Sequence, residues 1–218
     1  MITLQPHPSF YPKAFRCRFP KNIGEFTDTE LLPVRHYFQD NVGAPIPKVD
    51  TKQKIRDMLR HGGFGPSGRN KPAHEYLSKA VEKGWFSQKK GINAAVDVCN
   101  VISLHSGLPI SVVDFDRLKP PLTLELCPKD CAYPFNPSGQ ILKADGLLAL
   151  WDQHGPSATP VKDSQRSKTS DKSRNTLTIV WGHKDLKSHT EAALEWHQSL
   201  LRSLGCELED VPIIQSGS

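Results

Sequence analysis

Apolar residues recur at helical spacing in four segments of this chain, and these segments therefore read as amphipathic helices. The predicted helices span about residues 50–61, 72–84, 93–107 and 188–205. Asn93 has the side-chain oxygen expected of an N-cap, and Ser188 with Glu191 has the spacing of a capping box. Gly107 can adopt the left-handed conformation that ends a helix, so the third predicted helix stops there. The apolar stripe of the second helix is formed by Ala73, Tyr76, Leu77 and Ala80.

Short apolar or alternating runs predict strands at about 108–113, 122–126, 146–151 and 175–181. Residues 1–48 show no clear helical period, and their aromatic residues are expected to fill a core from loops and short strands. Residues 153–174 are polar and rich in Ser, which is typical of a mobile loop. The order of the predicted elements, with helices first, strands later and a closing helix, favours an α+β fold with mixed β-sheets packed against helices.

The length of 218 residues suits a single domain, residues 1–218, that can bury a core. No apolar run approaches the ~18 residues that a membrane-spanning helix needs, and the N-terminus lacks the pattern of a signal peptide. Five cysteines without such a signal indicate free thiols in a reducing cytoplasm. Cys127 and Cys131 have no second pair of ligands at zinc spacing, so no metal is expected.

The positive charge of the chain is concentrated in two segments. Residues 48–90 contain 11 Lys or Arg and 4 Asp or Glu, and residues 162–174 contain 5 and 2. Residues 183–218 contain 3 and 6, so the C-terminal part is acidic. A basic middle beside an acidic end suggests that one face meets a polyanion such as tRNA. The alternative is a solvated helix face rich in Lys, which is common on protein surfaces.

Three polar residues, Asn93, Asp97 and Asn100, share one face of the third predicted helix because they are spaced i, i+4 and i+7. Amides and a short carboxylate are poor helix formers, so another advantage must favour them there. One interpretation of this polar ridge is that it lines a pocket. The alternative is that its side chains hold neighbouring backbone in place, as buried polar groups usually do. His105 faces the apolar side and is expected to be a core histidine.

The Gly-x-Gly-x-x-Gly run at 63–68 matches the spacing of a dinucleotide fingerprint. That fingerprint requires a preceding strand, and here a predicted helix precedes it. Exposed backbone amides followed by Arg69 and Lys71 instead suit a phosphate or a carboxylate. A plain connecting loop is the alternative.

The stretch from Gly91 to Leu118 resembles a known family. Its pattern is Asn93-x3-Asp97-x2-Asn100-x2-Ser103-Leu104-x2-Gly107-Leu108-Pro109-x4-Asp114-x-Asp116-x-Leu118. This pattern is similar to the B3/B4 domain, the tRNA-editing domain of the phenylalanyl-tRNA synthetase beta subunit, and the chain is closer to free-standing relatives of that domain. The resemblance extends more loosely over residues 55–182, which leaves 183–205 as a closing helix and 206–218 as a tail.

The resemblance implies a domain that hydrolyses misacylated aminoacyl-tRNA in trans, with the acceptor end of tRNA as its partner and without a cofactor. Asn93, Asp97 and Asn100 are then the catalytic candidates, because amides can donate to a developing oxyanion and a carboxylate can orient a water molecule. Arg69 and Lys71 would hold phosphate. The alternatives are a non-catalytic tRNA- or RNA-binding module and a protein that binds a small molecule such as an amino acid.

A second polar cluster contains Asp163, Arg166 and Lys168. Free-standing relatives carry an acidic-x-x-arginine-x-lysine-x-threonine run here, which implies a loop that binds the substrate or the phosphates of tRNA. One departure concerns the predicted strand at 177–182, which has no acidic residue. In the synthetase a glutamate of this strand reads the hydroxyl of misattached tyrosine, so that contact does not carry over.

Overall fold

The computed structural model describes residues 1–39, 42–84 and 91–217. As the sequence predicts, these residues form an α+β domain of mixed sheets and helices. The strands are β1 Ile2–Leu4, β2 Phe10–Arg18, β3 Ile110–Asp114, β4 Thr123–Leu126, β5 Ala132–Pro134, β6 Ile141–Lys143, β7 Leu148–Asp152, β8 Gly155–Ala158, β9 Asn175–His183, β10 Glu207–Asp210 and β11 Ile213–Gln215. The α-helices are α1 Asp28–Arg35, α2 Lys52–Arg60, α3 Ala73–Glu82, α4 Ala94–Ser106 and α5 Lys187–Ser203.

The strands form a five-stranded sheet in the order β11-β1-β4-β7-β8 and a four-stranded sheet in the order β10-β2-β9-β3. Strands β5 and β6 form a separate hairpin. β1 runs parallel to β11 and β4, whereas the other neighbours are antiparallel. The last two strands, Glu207–Asp210 and Ile213–Gln215, each extend one of the two large sheets, so this part of the predicted tail belongs to the sheets.

The core lies around β9 and α4. Every residue from Thr176 to His183 is buried, and because neighbouring strand residues point to opposite faces, both faces of β9 are covered. Helices α2 and α5 contact β9, and α4 contacts α1, α3, α5 and β3. None of the helices in the described ranges is long and apolar enough to cross a bilayer.

The local signals for α4 are confirmed. Asn93 is its N-cap and accepts a hydrogen bond from the amide of Val96 at 3.1 Å. Gly107 follows the helix with φ of 64°, a conformation that a residue with a Cβ rarely adopts. β3 begins three residues later and returns along β9, so the sequence predicts this helix–turn–strand unit correctly.

Helix α1 lies in the N-terminal region, where the apolar pattern predicts no helix. It buries only Leu31 and Val34, which is too little for a clear period. The signal that identifies it is a capping box, since Thr27 accepts from the amide of Glu30 and the Glu30 carboxylate accepts from the amide of Thr27 at 2.7 Å.

Two predicted features of the other helices are wrong. The capping box expected at Ser188 and Glu191 does not form, because α5 begins at Lys187 and the Glu191 carboxylate accepts from the Tyr11 hydroxyl at 2.6 Å. The inward stripe of α3 is also different, since Tyr76 is exposed and His74 is the residue that the helix buries. At Glu191 a tertiary hydrogen bond overrides a plausible local pattern.

The polar segment 153–174 is not a solvated loop. It contains β8, and its residues Ser157, Ser164 and Ser167 are buried. The Ser167 hydroxyl donates to the backbone carbonyl oxygens of Ser157 and Ser164. Serine is therefore used here to satisfy buried backbone, and composition alone does not distinguish this use from a mobile loop.

Two glycines bring separate turns into direct backbone contact. Gly62 follows α2, and Gly146 precedes β7 with φ of 69°. A Cβ placed on Gly62 would collide with the carbonyl oxygen of Gly146, and the reverse substitution would collide with the carbonyl oxygen of Gly62. Neither position has room for a side chain.

Candidate functional site

The polar ridge of α4 is largely built into the scaffold. Asn93 is buried and caps the helix, as described above. Asp97 has no exposed surface, and its Oδ2 accepts from Arg35 Nε at 2.7 Å while its Oδ1 accepts from the Ile92 amide at 2.8 Å. Burial raises the pKa of Asp97, and the hydrogen bond from Arg35 opposes that change. These environments favour the interpretation that Asn93 and Asp97 hold backbone and a neighbouring helix in place.

Asn100 differs from the other two residues of the ridge. It is partly exposed, and its side chain makes no hydrogen bond within the described part of the chain. Its amide is therefore free to bind a ligand. His105, further along the helix, has its Nε2 2.7 Å from the carbonyl oxygen of Tyr37, so it is hydrogen-bonded as expected, but it is partly exposed rather than a buried core residue.

Another group of polar side chains meets around Asp163, in the loop that follows β8. The Oδ1 of Asp163 accepts from the Ser111 hydroxyl at 2.7 Å and from the Thr159 amide at 3.2 Å. Ser111 lies on β3, and its own oxygen accepts from Trp181 Nε1 of β9 at 3.0 Å. Two neighbouring strands and a loop thus fix the position of this carboxyl group.

Burial raises the pKa of Asp163 to about 6, although its hydrogen bonds from Ser111 and Thr159 and the charge of Lys168 lower it. The second oxygen, Oδ2, has no hydrogen-bond partner among the described residues, and it is not one of the fully enclosed polar atoms. It is therefore the oxygen that water or a ligand can reach. A carboxyl group that titrates near neutral pH is suited to proton transfer.

Three cations lie around the loop that carries Asp163. Burial lowers the pKa of Lys162, and the charges of Arg69 and Lys168 lower it further, so both of these cations lie within electrostatic reach of Lys162. Lys168 also acts on the carboxyl group of Asp163. Within the described ranges, none of the three cations forms an ion pair with a carboxylate. We call these four residues the Asp163 site.

The Gly-rich turn is joined to the Asp163 loop by the backbone. The amide of Ala73, at the start of α3, donates to the carbonyl oxygen of Pro160 at 2.9 Å. This contact explains how Arg69 comes close to Lys162. Lys71 lies beside Lys79 instead, and this contact between two cations lowers the pKa of Lys71. The turn therefore contributes one cation to the Asp163 site and a second to a neighbouring pair.

Arg166 is committed to structure. Its guanidinium donates to both carboxylate oxygens of Asp152, at 2.9 and 2.7 Å, and also to the Gly155 carbonyl and the Ser157 hydroxyl. Burial by itself would raise the pKa of Asp152. The hydrogen bonds and charge of Arg166 stabilise the ionised carboxylate, and the net result is a lowered pKa. Because these four hydrogen bonds use most of the guanidinium donors, Arg166 has little capacity left to bind an anion. Its role is to hold the loop that carries Asp163 and Lys168 in place.

Comparisons with known proteins agree with this architecture. The family model described as B3/4 domain matches residues 68–198, more than half of the chain. A crystal structure of an N-terminal fragment of the phenylalanyl-tRNA synthetase beta subunit from Pyrococcus horikoshii matches 100% of this chain with a TM-score of 0.55 and 12% identity. The chain spans 52% of that fragment. A comparison with curated proteins gave no match.

The fold and the matched residues define the class: an α+β domain of the kind found in a subunit of a tRNA synthetase. The chain belongs to the B3/4 domain family. The matched region includes α3, α4 and the loop that carries Asp163, so the candidate site lies inside the family domain.

Sequence reasoning found part of the Asp163 site. It identified Arg69, Asp163 and Lys168, but it missed Lys162 and Ser111. Lys162 directly precedes Asp163, and Ser111 is a polar residue within an apolar strand, so both carried a local signal. In the part of the chain that the structure describes, no group of three or more His, Cys, Asp or Glu side chains is arranged to hold a metal ion.

Proposed function

We propose that this domain hydrolyses the ester bond of misacylated aminoacyl-tRNA in trans, and that the chemistry takes place at the Asp163 site. The observation that carries the proposal is the Asp163 carboxyl group, with a pKa of about 6, on a loop where Lys168 acts on it and Arg69 lies near Lys162, none of these cations having a carboxylate partner among the described residues. The carboxyl group suits proton transfer near neutral pH, and the cations suit phosphates. Membership in the B3/4 domain family supports the same substrate.

The proposed reaction needs only water as a second reactant. The ionised Asp163 accepts a proton from a water molecule while the water oxygen forms a bond to the ester carbonyl carbon. The bond between that carbon and the ribose oxygen then breaks, and the ribose oxygen receives the proton from Asp163. The products are the free amino acid and uncharged tRNA, and Asp163 returns to its starting state.

The remaining predicted residues take supporting roles in this proposal. Arg69, Lys71 and Lys168 bind phosphates of the acceptor end. Asn100 donates a hydrogen bond to the substrate, because its side-chain amide has no partner among the described residues, whereas Asn93 and Asp97 keep the start of α4 in position. Arg166 positions the loop through Asp152.

The test is deacylation of a panel of correctly and wrongly charged tRNAs at low salt, including tyrosine attached to the tRNA for phenylalanine. We expect one mispaired species to lose its ester faster with the protein than in buffer. Asp163→Asn keeps an acceptor for Ser111 and Thr159 but cannot take a proton, so the acceleration should fall about 10²- to 10⁴-fold. The matched control is Asp145→Asn, an exposed acid in the turn before β7.

The other outcomes separate the alternatives. Salt-sensitive tRNA binding without ester loss would identify an RNA-binding module, because phosphate contacts release counterions. Absence of tRNA binding would redirect attention to small molecules such as free amino acids. Full activity in Asp163→Asn would remove the Asp163 site from the mechanism.

A further inference from the structure

The β5–β6 hairpin places an aromatic ring at the border of the Asp163 site. Phe135 directly follows β5 and is partly exposed. The ammonium group of Lys162 lies 4.1 Å from the centroid of the Phe135 ring, over its face. The ammonium group of Lys168 donates to the carbonyl oxygen of Phe135 at 2.6 Å. Both lysines of the site therefore contact this one residue, Lys162 over a ring face and Lys168 at the backbone carbonyl.

The ring is held on a well-anchored support. The amide of Phe135 donates to the carbonyl oxygen of Gln140 at 3.0 Å, which closes the hairpin turn. The amide of Gln165 donates to the carbonyl oxygen of Pro134 at 2.9 Å, and the buried Tyr133 hydroxyl donates to the carbonyl oxygen of Lys162 at 2.6 Å. The hairpin and the loop therefore form one unit, so a ligand that stacks on the ring need not order it first.

We infer that Phe135 is a stacking platform for an unpaired nucleobase of a single-stranded RNA end, with Lys162 and Lys168 binding the adjoining phosphates. An aromatic face bordered by cations is the arrangement that proteins use for single-stranded nucleic acid, since every base has a π face. In the RNA-bound state the base replaces the Lys162 ammonium over the ring, and that ammonium moves to a phosphate. The inference rests on the proposed function only in its RNA-binding part.

The cations by themselves would bind any anion, so it is the aromatic ring that distinguishes a nucleobase from a simple anion. A free phosphate or a carboxylate gains nothing from Phe135. A duplex end keeps its bases paired and stacked, whereas a single strand can place a base on the ring. The platform contacts Lys162 and Lys168, which lie on the loop that carries Asp163, so a base held there keeps the end of the strand close to that loop.

The experiment uses a short single-stranded RNA with the fluorescent base 2-aminopurine at each of the last 3′ positions in turn, and the same RNA with an abasic residue there. No ester is present, so the result is independent of hydrolysis. With the wild-type protein at low salt, we expect quenching of 2-aminopurine at one position and weaker binding of the matching abasic RNA. Phe135→Leu should weaken binding of the base-containing RNA about 5- to 100-fold and abolish the quenching.

Two further variants make the result specific. Phe135→Tyr keeps an aromatic face and should bind as the wild type does. Ile141→Ala, on the exposed side of the same hairpin, alters its surface without touching the ring and should also leave binding unchanged. The inference is overturned if the RNA does not bind, if the abasic RNA binds equally well, or if Phe135→Leu binds as tightly as the wild type. If stacking is found but no ester is hydrolysed, the proposed function fails and the platform stands.

Discussion

Replacing Asp163 by Asn should stabilise the protein at high pH while it abolishes the proposed activity. The wild-type carboxyl group must ionise in a poorly solvated position, which is why burial raises its pKa. Asn offers a similar shape and an acceptor for the Ser111 hydroxyl and the Thr159 amide, without the charge. The substitution therefore removes an unfavourable charge and the proton-transfer group at the same time.

The size of the effect follows from the pKa. The carboxyl group has an ordinary pKa of 3.8 and a pKa of about 6 in the folded protein. Between these values the folded state binds more protons than the unfolded state, so the free energy of unfolding of the wild type falls as pH rises through this window. At about 1.4 kcal/mol per pH unit, the loss reaches up to about 3 kcal/mol above pH 6. Asp163→Asn does not share this loss.

The assay is urea unfolding, followed by circular dichroism, of wild type and Asp163→Asn at about pH 4 and about pH 8. The two proteins should have nearly equal stability at the lower pH, and the variant should be more stable at the higher pH. Asp145→Asn, with its exposed acid, should give no pH-dependent gain. A stability difference that is the same at both pH values would contradict the effect of burial on Asp163.

Three further predictions concern single substitutions outside the Asp163 site. Asp97→Ala should lower the free energy of unfolding by about 1–3 kcal/mol, because it leaves the Ile92 amide without its acceptor and removes one of the two carboxylates that pair with Arg35. Asn100→Ala should change the free energy of unfolding by less than about 0.5 kcal/mol. Slower ester hydrolysis in this variant would therefore reflect lost substrate contacts. Full activity would show that Asn100 has no part in the chemistry. Gly62→Ala should cost about 1–3 kcal/mol in a thermal melt because its Cβ meets the carbonyl oxygen of Gly146. Gly65→Ala, with open space around it, is the matched control, and equal losses in the two variants would contradict the contact.

Several features of the fold follow from local sequence, because the forces that create them act over a few residues. Asn93 caps α4 through its own first turn, and Gly107 ends the helix through its own dihedral angles. Strands β3, β7 and β9 follow short apolar runs, which are needed because most of their residues are buried. α1 has an equally local signal at Thr27 and Glu30, even though its apolar period is weak.

The candidate site depends on contacts between distant segments. Arg69 reaches Lys162 because backbone joins the start of α3 to the loop after β8, and no local pattern predicts that hydrogen bond. The same holds for Arg35, which comes from α1 and pairs with Asp97 on α4. Sequence spacing placed Asp97 on a polar face correctly, but solvent access to that face depends on which helix covers it.

The α+β class, the α4–β3 unit, the family resemblance and most charged residues of the Asp163 site can be predicted from the sequence alone. The tertiary structure alone decided which of these residues are free and which are committed. Arg166 and Asp97 are consumed by ion pairs, whereas Asp163 is held in a buried position that raises its pKa. The physical reason is that helix ends and turns depend on near neighbours, whereas desolvation and charge pairing depend on whatever the fold brings into contact.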